Sequence, residues 1–274
     1  MTSGGSQIDP TARVDPQATI GRNVTVGPYC VIGPDVALGD GVRLLSHVNV
    51  AGHAEIGART VIYPFASLGT PPQSVKYKGE PTRLIVGSDC DIRENVTMNI
   101  GTVEGGGVTR VGNACFLMVG SHVAHDCTVG NDVIFANNVV LGGHVEVGDY
   151  VVFGGQAAVR QYVRIGEGAM VVGLSGVRAD IVPWGLVSGH FANLVGLNVV
   201  GMRRRGFSKT EIHRLRSAFR AVFFGEGTFR ERLDKLASAE GAADPRVARM
   251  VEFIRSGTRP LTMATDRAEG AEAP

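Results

Sequence analysis

The stretch Ser121-His122-Val123-Ala124-His125-Asp126-Cys127 brings two imidazoles and a carboxylate into seven residues. An imidazole beside a carboxylate is the pairing a general base needs, because the carboxylate orients the ring and supports the charge it gains. Further on, Gly142-Gly143-His144 offers bare backbone and a third imidazole. Backbone N–H groups close to a base suit acyl transfer, where a developing oxyanion has to be held. Whether these groups meet depends on the elements that carry them.

Those elements show themselves by a period of six. An aliphatic residue occupies every sixth position from Ile8 to Leu68, through Val14, Ile20, Val26, Ile32, Leu38, Leu44, Val50, Ile56 and Ile62. A second series, one residue out of phase, runs from Val111 to Val177 with Phe135 and Phe153 in two of its places. Neither a 3.6-residue helix nor a two-residue alternation gives this spacing. It marks a parallel β-helix, an all-β solenoid whose short strands stack coil on coil. If three hexads close one triangular coil, residues 18 apart stack at the usual ~4.8 Å between paired strands. Three columns follow: His125, Gly143 and Gln161; Asp126, His144 and Tyr162; Asn137, Gly155 and Gly173. His125 then lies under a glycine backbone and Asp126 under His144.

Many of the 38 glycines follow the sixth-position aliphatic, as in Ile20-Gly21 and Leu38-Gly39. They are expected at tight corners whose dihedrals are awkward for a residue with a Cβ. Cys30, Cys90, Cys115 and Cys127 share one register, four residues after a hexad aliphatic, and read as small core residues without a CxxC pattern. A net charge of +1 argues against a dedicated nucleic-acid binder. The start MTSGGSQIDP has no signal-peptide character and no stretch has the length of a membrane span, so a cytoplasmic protein without a transmembrane segment is expected.

The hexads lapse at 69–85, a span that keeps the phase because Leu68 and Val86 are 18 apart, and at 99–110, which shifts it by one. Both read as polar loops projecting from the solenoid, where repeat proteins often place binding residues. The solenoid is expected over 1–190 and a C-terminal α-helical domain over 191–274, loose from about 258. Ser208-x-x-Glu211 and Thr228-x-x-Glu231 are capping boxes, and Asp244-Pro245 is an N-cap followed by a first-turn proline.

A metal site deserves weighing beside the base. His122, His125 and His144 could hold zinc as in hexapeptide carbonic anhydrases, but those use His-x4-His where this chain has His-x2-His. The adjacent Asp126 also suits a base. The acyl-transfer reading needs neither metal nor cofactor.

The chain also carries a family resemblance. Gly79-Glu80-Pro81-Thr82-Arg83, Ile92-Arg93-Glu94, Gly105-Gly106-Gly107, Ala124-His125-Asp126-Cys127-Thr128-Val129-Gly130, Gly142-Gly143-His144 and Arg204-Arg205-Gly206-Phe207-Ser208 closely resemble the UDP-N-acetylglucosamine acyltransferases, over about Ile8 to Ile254. The resemblance implies a left-handed parallel β-helix, a homotrimer with active sites between subunits, and the first step of lipid A synthesis. It makes His125 the base, Asp126 its partner and the Gly143 N–H the oxyanion donor. The acyl donor is an (R)-3-hydroxyacyl-acyl carrier protein, and the acceptor is the 3-hydroxyl of UDP-N-acetylglucosamine. His122, His144, Gln161, Asn198, Arg204 and Arg205 match substrate contacts, and Gln73 and Lys76 match loop positions serving the nucleotide-sugar. Gly173 matches a position that limits acyl-chain length, with Gly155 in the same open column and Phe191 a candidate floor. The chain departs from the family at Ser74, Asn99, Ile100, Arg160, Phe191 and Val200. Among the basic residues from Arg203 to Arg220, Arg216 and Arg220 are expected to meet the acidic carrier protein.

Two other readings stay open: a related N-acyltransferase acting on a UDP-amino sugar, whose family carries an extra amino-terminal domain, and a non-catalytic β-helix scaffold.

Overall fold

Every hexad closes one side of a triangle. A computed structural model describes residues 5–238 and 244–264, and within it the solenoid strands form three sheets. The first sheet starts at Gln7–Ile8, the second at Arg13–Val14 and the third at Thr19–Ile20. The sixth-position residues point inward and stack, with Ile32, Leu44, Ile62, Leu68, Leu117 and Leu141 among the fully buried side chains. Phe135 and Phe153 occupy adjacent rungs of the first sheet with ring centroids 4.9 Å apart. Alternate burial along two-residue strands is what a prism with a narrow apolar interior demands. The parallel β-helix expected from the hexads is the fold found.

Rungs pair 18 residues apart in the regular coils, as Ile32 with Val50 and Val123 with Leu141. At the two interruptions the stacking distance changes: Ile62 pairs with Ile92, and Ile92 with Leu117. Leu68 and Val86 therefore do not stack; they lie on the second and third sheets, and the intervening chain replaces an ordinary corner. Strands reach into both interruptions, as Ser67–Thr70, Arg83–Val86, Thr97–Asn99 and Val108–Val111, so the projecting parts are 71–82 and 100–107. Both leave from the edge between the second and third sheets.

The glycines after the aliphatics do not serve the purpose expected of them. Gly21 and Gly39 carry no positive φ; instead a Cβ on Gly39 would stand 2.8 Å from the Ala58 nitrogen in the next coil. Close approach between coils excludes the side chain. The left-handed corner sites are filled largely by other residues, Asn23, His47, Asp126, His144 and Tyr162 among them. All four cysteines are buried and unpaired, and burial pushes the Cys127 thiol up to about 12.

Beyond residue 190 the first sheet gains one more strand, Asn193–Leu197, antiparallel to Gly185–Ser188. Helix α1 (Val199–Arg204) follows, then α2 (Lys209–Phe224), α3 (Phe229–Ser238) and α4 (Pro245–Arg255). Both capping boxes form, Ser208 with Glu211 and Thr228 with Glu231, and Asp244 caps α4. Ile212, Leu215, Phe219, Val222 and Phe223 give α2 its buried face. The chain past 258, expected to be loose, is tied down as far as Ala264. Asp180 receives Thr262 N–H on its carbonyl and donates its own N–H to Pro260, and Leu194 bridges Ala264. Backbone pairing with the solenoid end supplies the order that local composition does not. The rest of the expected tail, 265–274, lies outside the described residues.

Candidate active site

Asp126 occupies a left-handed corner (φ 61°) between the strands His122–Val123 and Thr128–Val129. Its side chain is wholly buried, a costly place for a carboxylate unless its lone pairs are met. They are met from the loop 100–107. Thr102 donates its N–H to Oδ1 at 2.7 Å and its hydroxyl to Oδ2 at 2.7 Å, while the Asp126 N–H donates to the Thr109 hydroxyl. Gly105 packs so closely on the carboxylate that any Cβ there would collide with it.

His125 Nδ1 lies 2.7 Å from Asp126 Oδ2. A carboxylate held by two donors accepts from the ring, so Nδ1 carries the proton and Nε2 presents its lone pair. That face of the ring abuts Gly143: a Cβ on Gly143 would stand 2.6 Å from His125 Cε1 and 2.8 Å from Nε2. The Gly143 N–H donates to no acceptor among the described residues. A base and an uncommitted N–H thus lie side by side, the arrangement that acyl transfer requires.

His144 caps the dyad in the next coil. Its ring stands edge-on to His125, with centroids 5.1 Å apart, and lies flat against Tyr162 at 4.3 Å. Burial lowers the His144 pKa, against the opposing pull of Asp126. His122 shares Nδ1 with the Thr97 hydroxyl at 2.7 Å, and burial, then the nearby His125, lowers its pKa too. The ligating atoms of His125, Asp126 and His144 also lie within 4.8 Å of one another, but Asp126 already receives both Thr102 donors and His125.

The edge between the second and third sheets therefore gathers half of the expected residues. His122, His125, Asp126, Gly143, His144 and Gln161 stack along it, and the loop carrying Gln73 and Lys76 projects from it. Lys76 pairs with Glu104 of the second loop at 3.1 Å. Asn99, one of the departures from the family resemblance, is buried and ties the first loop's base through Thr70 and the Pro71 carbonyl.

Other expected residues lie on other edges of the same chain. Gly155 and Gly173 form a bare column between the first and second sheets. Exposed Phe191 lies over the last strand of the second sheet, where the Ala192 N–H donates to the Gly176 carbonyl, and Arg178 covers its ring at 4.0 Å. Arg205 lies over Tyr150 at 3.9 Å, on the edge between the third and first sheets, and 3.7 Å from Asp132. Asn198 caps α1 through the Gly201 N–H and donates to the Gly168 carbonyl on that same edge. Arg204 is exposed at the end of α1, and Arg216 and Arg220 are exposed on α2. Sequence reasoning missed Thr102 and Thr109 as partners of Asp126. No spacing pointed to them, because the second loop breaks the 18-residue register that brings the other site residues together.

The triangular β-helix built from hexads is the architecture of the hexapeptide-repeat proteins, and a bacterial transferase hexapeptide profile matches residues 108–143. A profile described as domain 2 of the UDP-N-acetylglucosamine O-acyltransferases matches residues 180–262. The acyl-[acyl-carrier-protein]–UDP-N-acetylglucosamine O-acyltransferase of Azorhizobium caulinodans is 62% identical over 202 residues, 74% of each chain. The solved UDP-N-acetylglucosamine O-acyltransferase of Moraxella catarrhalis superimposes with a TM-score of 0.90 at 41% identity, covering 93% of this chain and 99% of that one. The UDP-N-acetylglucosamine acyltransferase of Campylobacter jejuni gives 0.89 at 36%, covering 94% and 100%. The chain belongs to the UDP-N-acetylglucosamine O-acyltransferase family.

Proposed function

We propose that this protein transfers an (R)-3-hydroxyacyl group from acyl carrier protein to the 3-position of UDP-N-acetylglucosamine, the first step of lipid A biosynthesis. The observation that carries the reading is the 2.7 Å pair of His125 and Asp126, with Nε2 turned toward the Gly143 backbone. Nε2 takes the proton of the sugar hydroxyl as its oxygen attacks the thioester carbonyl. The Gly143 N–H holds the oxyanion, and collapse expels the carrier's thiolate, which recovers the proton from the imidazolium.

The working unit is a homotrimer in the cytoplasm. Asn198, Arg205, Gly155 and Gly173 sit on edges that do not adjoin His125 within one chain, so they reach one substrate when an edge of a second copy is laid against the catalytic edge, with Arg204 carried beside Arg205 at the end of α1. Exposed Tyr29, Phe65 and Leu174 on the edge between the first and second sheets give that contact apolar surface. Among the described residues no helix is long and apolar enough to cross a membrane. Arg216 and Arg220 suit an acidic carrier protein.

The test is the mass of the product formed from a panel of (R)-3-hydroxyacyl carrier-protein donors with the 3-hydroxyl and 3-amino forms of the nucleotide-sugar. An acylated 3-hydroxyl product is expected. No acyl transfer to either sugar overturns the reading, and transfer to the amine alone moves the protein to the amide-forming reaction.

A further inference from the structure

Above His144 the ring stack continues into the C-terminal segment. Tyr162 lies parallel to His144 with an interplanar angle of 5°, and the guanidinium of Arg259 covers the Tyr162 ring at 4.7 Å. Arg259 is brought there by chain pinned on both sides. Phe253 and Ser256 are bound by Arg164, and Pro260 and Thr262 are bound by Asp180. Asp180 is in turn neutralised by Arg164 at 2.8 Å.

Two further arginines stand at the same end of the catalytic edge. Arg160 and Arg178 follow the paired residues Val159 and Val177 on adjacent rungs of the second sheet, and Arg160 is two residues from Tyr162. All three arginines are exposed, and none has a carboxylate within 4.0 Å among the described residues. Most other arginines at the solenoid's corners and on α4 are paired, as Arg22 with Asp40, Arg59 with Asp89 and Arg249 with Glu167. Arg259 rests on Tyr162 and Arg178 on Phe191, so both guanidinium groups are held by aromatic faces with their charge uncompensated, and an incoming anion supplies the missing counter-charge. A planar guanidinium suits the paired oxygens of a phosphate.

We infer that Arg259, with Arg160 and Arg178, forms a phosphate-binding site at the C-terminal end of the catalytic edge. Arg259 covers Tyr162, itself two coils above Asp126, and so stands about three rungs, roughly 14 Å, from that carboxylate at the usual rung spacing. That places its charge farther along the catalytic edge than the acyl-transfer centre, where it engages a substrate's phosphate without touching the reacting atoms. The inference rests on the acyl-transfer reading, whose two substrates both carry phosphate: the donor in its phosphopantetheine arm, the acceptor in its diphosphate.

Steady-state kinetics of Arg259→Gln and Arg259→Lys separate the sources. The donors are (R)-3-hydroxyacyl thioesters of acyl carrier protein, of phosphopantetheine and of pantetheine, which lacks the phosphate, each with UDP-N-acetylglucosamine. Arg259→Gln is expected to raise one KM about tenfold or more, with Arg259→Lys less affected. A rise for the phosphopantetheine donor that vanishes with the pantetheine donor assigns the donor's phosphate. A rise in the acceptor KM with every donor assigns the diphosphate. A fall in kcat with both KM values unmoved overturns the inference and leaves Arg259 a prop for Tyr162; unchanged kinetics overturn it as well. Arg160→Gln leaves the ring stack intact and reads the same KM should Arg259→Gln melt early, and an unmoved KM there counts against the site. Absence of wild-type turnover sinks the acyl-transfer reading and this inference together, whereas turnover with unmoved KM sinks this inference alone.

Discussion

Nε2 of His144 lies 3.6 Å from the same Asp126 oxygen that receives His125 Nδ1. One buried carboxylate oxygen thus addresses imidazoles in two successive coils. His125 holds the nearer position and the face against Gly143, so the two rings are not interchangeable. Replacing His125 with Ala is expected to lower kcat by ~10²–10⁴-fold in a folded protein, while His144→Ala leaves a measurable base-catalysed rate. Retention of a tenth of the activity by purified, folded His125→Ala removes it from the role of base.

Thr102 sets the direction of the dyad from across the loop. Thr102→Val keeps the backbone donor to Oδ1 and removes the hydroxyl donor to Oδ2. A charge-assisted bond to a buried carboxylate is worth ~1.5–3 kcal/mol, so a loss of about tenfold or more in kcat, in stability or shared between them is expected. Kinetics paired with thermal melting would show it; wild-type values in both would mean that Asp126 does not need the hydroxyl.

Stability should fall as the protein is acidified below neutrality. Burial depresses the pKa of both His122 and His144 below the ordinary value of 6.5. The unfolded chain therefore takes up protons first as pH drops through 6.5. The native state keeps its full stability above that pH and loses it progressively down to the depressed folded values. Denaturant unfolding at pH 7.5 and 5.5 measures the loss, which should shrink when His122 and His144 are both replaced by Gln. An equal loss in that double variant would place the titration elsewhere.

The bare column of Gly155 and Gly173 is expected to take the acyl chain. A Cβ on Gly173 would come 3.1 Å from the Gly155 carbonyl oxygen, so a larger side chain is turned out into the groove. Gly173→Met should shift donor preference toward chains shorter by several carbons, each excluded methylene being worth ~0.8 kcal/mol. A donor series of graded length tests this, and an unshifted preference would take the groove off this column.

Exchanging Arg216 and Arg220 for Glu should raise the donor KM most at low salt, because exposed charges are screened over ~10 Å at 0.1 M. Donor kinetics indifferent to the exchange at every ionic strength would leave these arginines as a solvated helix face.

The period of six was enough to read the coil, the inward residues and the stacking of His125 under Gly143, because each depends on spacing alone. The capping boxes at Ser208 and Thr228 were legible for a similar reason, since a helix start is a local matter of side chain and N–H. Thr102 was not. It reaches Asp126 from a loop that breaks the 18-residue register, so no column contains both. The clasp of residues 259–264 on Asp180 and Leu194 was equally hidden, being backbone pairing between distant segments that polar, helix-breaking composition does not announce. The glycines after the aliphatics were legible in position and misread in purpose: crowding from the next coil, not corner dihedrals, excludes their side chains.

The solenoid has two unlike ends. At one, Ile8, Val14 and Ile20 are only partly covered, with a single rung of neighbours; at the other, the Asn193–Leu197 strand, the helices and the C-terminal clasp close the stack. Since each coil is held mainly by the coils on either side of it, melting should travel like a zipper from the Gln7 end. Amide exchange would then sweep along the chain as a gradient, and the rungs bearing His125 and His144, many coils from the loose end, would be among the last to open.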